Sequence, residues 1–365
     1  MKRKTFITAC SFRAPGLTAF EDIIIAMNHP GFTAAFQTIR LSDRLETNVA
    51  RLAGETASPH YPSGSKLKLM RTDVIAAIIC AGELMEQAGL DAVDILDLPL
   101  YISNGSSFDL GIEQLLEITS AYMKQSAADD WSKRYQRVYA SLPPMYVLRT
   151  LANAAECFVA QKTGARGDNA TFGGSSHATF LALQEVLRKI ESHEAEMAVL
   201  GTCNGIGIFS AFTFGSPHES GFQWRESEGA GFLLIESEAS LSRSGRRPMA
   251  ELAFLEASKT IPDIFSDARD ETPYREFHHD LAEYCIYSGG LSGKSHETQA
   301  RTCEKKWQRS FSWFHPLGNM GNNAILINMA TAIALFKQGD TEQVDCVNRD
   351  SHGRESLIKL QAFGG

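Results

Sequence analysis

No stretch of about eighteen uncharged apolar residues occurs in the 365-residue sequence, so nothing in it reads as a membrane-spanning helix. The seven cysteines (Cys10, Cys80, Cys157, Cys203, Cys285, Cys303 and Cys346) are scattered, odd in number and never in C-x-x-C spacing. That pattern supports neither a disulfide framework nor a zinc site, and it suits a reducing cytoplasm. Positive charge is in deficit: 43 acidic against 35 basic residues leave a formal charge of −8. A nucleic-acid or anionic-membrane partner is therefore not expected. The basic start at Lys2, Arg3 and Lys4 leads into an apolar run that stops at Ser11 and Arg13, too short for a signal-peptide core. Low-complexity segments and residue-level repeats are also missing.

What remains is an ordinary globular composition, 44% hydrophobic and 21% charged, long enough for one large or two smaller domains. Phe6 to Cys10, Leu98 to Ile102, Met197 to Leu200 and Gly231 to Ile235 read as strands. Asp73 to Ala88, stopped by Gly89, and Ala178 to Ile190 have helical spacing, and residues 110 to 160 read as helices broken at Pro143 and Pro144. Strands are expected again at Glu251 to Leu255, Cys285 to Tyr287, Val344 to Cys346 and Ser356 to Leu360. Asn323 to Phe336 is so apolar that it should be buried on all sides. Charged, small-residue stretches at 216–228 and 237–248 read as surface loops. Alternating strands and helices predict α/β layers around a buried sheet, with two halves sharing an order of elements.

Four stretches, in order, resemble the β-ketoacyl-acyl-carrier-protein synthases. They are Arg166-Gly-Asp-Asn-Ala-Thr-Phe-Gly-Gly-Ser-Ser176 with the helix that follows, Met197-Ala-Val-Leu-Gly201, Ser227-Glu-Gly-Ala-Gly-Phe-Leu-Leu-Ile-Glu236 and His315-Pro-Leu-Gly-Asn-Met-Gly-Asn-Asn323. Arg71 to Leu90 also resembles that family's first long helix. The resemblance implies an α/β thiolase-like fold with two pseudo-repeated halves in stacked α/β/α/β/α layers. It divides the chain into residues 1–240, with a helical insertion at about 105–150, and residues 241–365.

The same resemblance implies a catalytic set that this sequence does not carry intact. The family's nucleophilic cysteine, activated at a helix N-terminus, falls at Ser176 by ungapped count, or at Ser175 or His177 with a slip of one. The first of its two histidines falls at Gly289; the second is kept as His315. His296 and His352 read as exposed loop histidines. Cys203 reads as buried and inert. His315 either still contacts a thioester or is a structural residue capping the following helix. The family's pocket-gating loop is replaced by Val347-Asn-Arg-Asp-Ser-His-Gly-Arg354.

A synthase body without its catalytic set resembles the chain-length-factor subunits of type II polyketide systems, and among related systems the synthase-like partner subunit of aryl-polyene pathways. The family factors usually carry glutamine where this chain has Ser176. This implies a cytoplasmic, non-condensing subunit that pairs with an active synthase and shapes an acyl tunnel, with Tyr122 and Met145 as tunnel candidates. Acyl groups would arrive on carrier-protein phosphopantetheine, with no cofactor of the chain's own. The implied dimer contact is the strand Asn169, Ala170, Thr171 and Phe172. The competing reading is a serine-dependent acyltransferase or hydrolase using Ser176 with His315, or with His177, as base.

Overall fold

The protein is described from a computed structural model covering residues 3–42, 45–105, 151–206, 225–257, 280–289, 293–350 and 354–363, with isolated positions at 132, 133, 136 and 140. The first half runs β1 (Thr5–Arg13), α1 (Phe20–Asn28), β2 (Gln37–Ser42), β3 (Leu45–Ala50), α2 (Thr72–Ala88), α3 (Ala92–Leu96), β4 (Leu100–Asn104), α4 (Ala154–Thr163), β5 (Asn169–Gly173), α5 (His177–Glu191), β6 (Met197–Asn204), β7 (Arg225–Ser227) and β8 (Gly229–Ser237). The second runs α6 (Glu238–Ser244), β9 (Ala250–Ala257), β10 (Tyr284–Gly289), α7 (Gly293–Lys306), β11 (Arg309–Ser312), α8 (Phe314–Leu317), α9 (Asn323–Gln338), β12 (Gln343–Arg349) and β13 (Glu355–Gln361).

The main sheet has ten strands in the order β11-β10-β12-β13-β9-β1-β8-β6-β4-β5. Its two ends are copies of one pattern. Counting strands within each half of this sheet, both read 3-2-4-5-1 from the edge inward. Polarity repeats as well. β4 pairs parallel with β5 and β6, as β10 does with β11 and β12, while the remaining pairs in each half are antiparallel. The copies join where β1 meets β9 antiparallel, through Phe6 with Glu251 and Ile7 with Ala250. The duplication expected from element order is thus present in backbone topology, although no residue pattern carries it.

Side-chain alternation builds the layers. On β8, Leu233 and Ile235 face an inner core shared with α5, α9 and the strands of both halves, whereas Phe232 and Leu234 face α2 and α4. On β10, Ile286 joins the inner core while Cys285 and Tyr287 pack with Cys303 of α7 and Trp307 just after it. The order is therefore helix, sheet, helix pair, sheet, helix. Asn323 through Leu335 of α9 are all buried, as an apolar helix at the centre requires. Among the described residues, no helix is long and apolar enough to cross a membrane.

Some expectations need correction. The stretch 237–248 contains α6, started by Ser237, whose hydroxyl accepts from the Ser240 amide (3.1 Å). Three residues of the stretch at 216–228 form β7, which pairs parallel with β3. Tyr122, Met145 and most of the 105–150 insertion lie outside the described residues.

The sheet and α9 are in close contact at Gly231, where an added Cβ would sit 2.3 Å from Leu326 Cδ2. Leu326 is fully buried and has nowhere to retreat. Gly231→Ala should cost about 1–3 kcal/mol, read as a lower denaturant midpoint at unchanged slope.

Candidate functional site

The two central helices begin side by side, and their N-termini define the site. β5 ends at Gly173, and a short turn brings Ser176 to the N-cap of α5. Asn322 holds the matching place on α9. Asn322 is fully buried. With its amide oxygen toward the Ser103 hydroxyl on β4, its Nδ2 donates to the carbonyl oxygens of Gly174 (2.9 Å) and Ser175 (3.1 Å). The reverse orientation would set its oxygen against two carbonyl oxygens, so the first is the one adopted. The buried Thr179 hydroxyl donates to the Asn322 carbonyl (2.7 Å) and lies 2.9 Å from Ser103 Oγ. One carboxamide thus ties the turn before α5 to β4 and to α9.

Ser176 is 7% exposed, and its hydroxyl accepts from Asn348 Nδ2 at 2.9 Å. Asn348 Oδ1 accepts from Ser288 Oγ (3.1 Å), and Ser288 Oγ accepts from Asn328 Nδ2 (2.9 Å). Among the described residues, the partners reaching Ser176 are therefore amides and hydroxyls. None of them takes a proton near neutral pH, so none can generate a serine alkoxide.

The histidines do not repair this. His315 lies in the short helix α8, is exposed, and receives Arg225 Nη1 on its backbone carbonyl (3.3 Å). It makes no hydrogen bond to Ser176. It does not cap the next helix either, because α9 has Asn322 as N-cap and no side-chain cap; the capping expectation is corrected on that ground. His177 is buried beside Ser176, stacks on Phe180 (5.6 Å, 18°) and leaves Nδ1 without a hydrogen-bond partner among the described residues. Burial first, and the Arg354 guanidinium second, hold its pKa below the ordinary imidazole value, with Asp350 opposing. Gly289 ends β10 opposite Arg349, one residue from Ser288, and brings no functional group. His352 lies outside the described residues, and His296 falls within α7.

The glycines of the His-x-x-Gly-x-x-Gly turn persist for steric reasons. Gly318 has φ +73, and a Cβ there would lie 2.6 Å from the Arg225 carbonyl oxygen. Gly321 has φ +49, and its Cβ would lie 2.1 Å from Asn204 Oδ1. Both conformations favour glycine, and both spaces are taken by neighbours that hold the turn on β7. The Asn319 amide donates to the Arg225 carbonyl (2.8 Å), and the Ser227 amide to the Asn319 carbonyl (2.9 Å). These glycines build the bend into α9.

Cys203 on β6 is fully buried with its thiol 3.0 Å from Asp73 Oδ2. Burial, reinforced by that carboxylate, holds its pKa well above the usual thiol range, so no thiolate forms there. The strand named as a dimer contact, Asn169 to Phe172, lies in β5 at one edge of the sheet. Asn169 is exposed, and Ala170, Thr171 and Phe172 are half-buried. Sequence reasoning missed Asn322, Asn348 and Ser288. Asn322 and Asn323 ending the glycine turn were the available signal for the first.

No family model and no curated protein matches the sequence. Solved structures do match the fold. A β-ketoacyl synthase from Burkholderia phymatum STM815 superposes with a TM-score of 0.74 at 13% identity, over 100% of both chains. The AntDE:AntF assembly, a type II PKS acyl-carrier protein in complex with its ketosynthase, gives 0.71 at 14% over 100% of both chains. The ishigamide ketosynthase/chain length factor gives the same values and coverage. The chain has the thiolase-like fold of the ketosynthases.

If Asn322 holds the site together, Asn322→Ala should cost about 2–4 kcal/mol, because two carbonyls and a hydroxyl lose a buried partner. Equilibrium denaturation measures it. A loss below about 1 kcal/mol would remove Asn322 from that role.

Proposed function

We propose that this chain is the non-condensing subunit of a two-subunit β-ketoacyl synthase, of the chain-length-factor type. It pairs with an active, cysteine-bearing synthase and shapes the tunnel that receives the growing acyl chain. The observation that carries the reading is the Ser176 environment. At the position matching the nucleophile, a hydroxyl accepts from the Asn348 carboxamide, and among the described residues no imidazole is hydrogen-bonded to it. A serine needs an adjacent base to attack a thioester, so the serine-dependent acyltransferase reading with His315 finds no support in this arrangement.

The likeness to a ketosynthase/chain length factor and to a ketosynthase bound to its acyl-carrier protein supports the partner types. In this reading acyl groups arrive on carrier-protein phosphopantetheine, the chain needs no cofactor of its own, and the setting is the cytoplasm. The pathway assigned is a type II polyketide-like one, with aryl-polyene synthesis as its narrower form. The joining surface is the β5 edge. It pairs only with β4 within the described chain, carries no proline, and would be an aggregation hazard if left bare. Asn169, Ala170, Thr171 and Phe172 would add main-chain pairs across the subunit boundary, in an interface above about 2,000 Å². Tyr122 and Met145 are assigned to the tunnel wall.

The test is co-expression with an intact synthase, followed by native mass spectrometry and product analysis. A one-to-one heterodimer is expected. Ser176→Ala should leave its condensation rate within about twofold of the parent, whereas resizing Tyr122 or Met145 should shift product chain length. A clean homodimer formed beside the active synthase contradicts the proposal.

A further inference from the structure

Next to Ser176 lies a charged unit. Asp350, the residue after β12, is 2% exposed, and its carboxylate accepts from the Ser175 hydroxyl (2.6 Å), the Arg354 backbone amide (2.8 Å) and Arg354 Nε (2.7 Å). Arg354, just before β13, also donates through Nη2 to Ser175 Oγ (2.9 Å). The backbone is closed as well, with the Asp350 amide on the Arg354 carbonyl (2.9 Å). Ser175 is thus held from both sides by one ion pair, and its neighbour Ser176 is held by Asn348 from the same strand end.

Asp350 is buried, while the Arg354 side chain is about one-third exposed; an ion pair so placed is weak evidence for stability, because desolvation offsets much of its attraction. What such a pair can provide is a single fixed arrangement. This one fixes the end of β12 against the turn at the head of α5, so both serine hydroxyls are occupied from the same side. Parting these contacts would leave the Asp350 carboxylate buried without its cation.

We propose that the Ser175–Asp350–Arg354 unit is a lock that keeps acyl thioesters away from the Ser176 position, so that this subunit cannot load an acyl chain at its own site. The inference rests on reading Ser176 as the vacated nucleophile position. It extends that reading from missing chemistry to blocked access: a restored thiol would still be shielded.

The test places a reporter thiol by Ser176→Cys in the full chain and follows its alkylation by iodoacetamide, mapped by peptide mass spectrometry. Exposed Cys157 is the internal reference, and buried Cys203 reports loss of structure. With the lock intact, Ser176→Cys should react at least tenfold more slowly than Cys157. Adding Arg354→Ala should accelerate it tenfold or more while Cys203 stays protected. Electrostatics alone would act the other way, because removing a nearby cation disfavours the thiolate. Equal rates with and without Arg354 overturn the lock. Where Arg354→Ala also exposes Cys203, Ser175→Ala decides by the same criterion, since it removes one hydroxyl and leaves the ion pair. Condensation is not part of the readout. Activity of the isolated parent chain would instead overturn the non-condensing reading and leave the alkylation result to stand or fall separately.

Discussion

Asn322 holds the centre of this molecule together. Its carboxamide reaches the carbonyls of Gly174 and Ser175, and the Ser103 hydroxyl, at the point where the heads of α5 and α9 meet. Each sheet half packs on that helix pair, and the turn that positions Ser176 depends on partners from the opposite half. A carboxamide suits the place because it donates and accepts at once and carries no charge to desolvate. Buried polar groups of this kind are costly when unpaired and position-defining when paired, so the seam fixes how the halves register.

From that seam the site's chemistry follows. The geometry is a strand, a turn, a helix N-terminus and a second helix reached through a glycine bend. Where a thiolate and imidazoles would exchange protons, amides and hydroxyls from Asn328 to Ser176 pass hydrogen bonds without accepting a proton. The Asp350–Arg354 ion pair lies beside this site, with the Ser175 hydroxyl bonded to both. In the proposed reading, a site so built recognises or excludes and does not drive acyl transfer. The fold places no such limit on its relatives, and function has to be read from these side chains.

Much of the fold was legible in the sequence because burial imposes pattern. The apolar run of α9, the Gly89 stop after α2, and the short strands β6 and β8 announced themselves by hydrophobicity and turn residues. α6 was hidden because a short helix of small and charged residues resembles a loop until Ser237 is seen to cap it. The duplication was legible only as element order, since topology repeats without residues repeating. At the site, the counted positions Ser176, Gly289 and His315 fall at the head of α5, the end of β10 and in α8. What surrounds them could not be read. Asn348 and Ser288 lie 172 and 112 residues from Ser176, and nothing local predicts that they converge. His315 illustrates the converse: the retained residue is exposed, and the glycines around it carry the structural role.

The central claim is that this chain forms no acyl-enzyme. Incubating the purified full chain with a small acyl thioester and measuring intact mass tests it most directly. The account predicts no acyl addition at Ser176 under conditions that acylate a cysteine-bearing synthase. A stoichiometric acyl adduct mapped to Ser176 and absent from Ser176→Ala would contradict it.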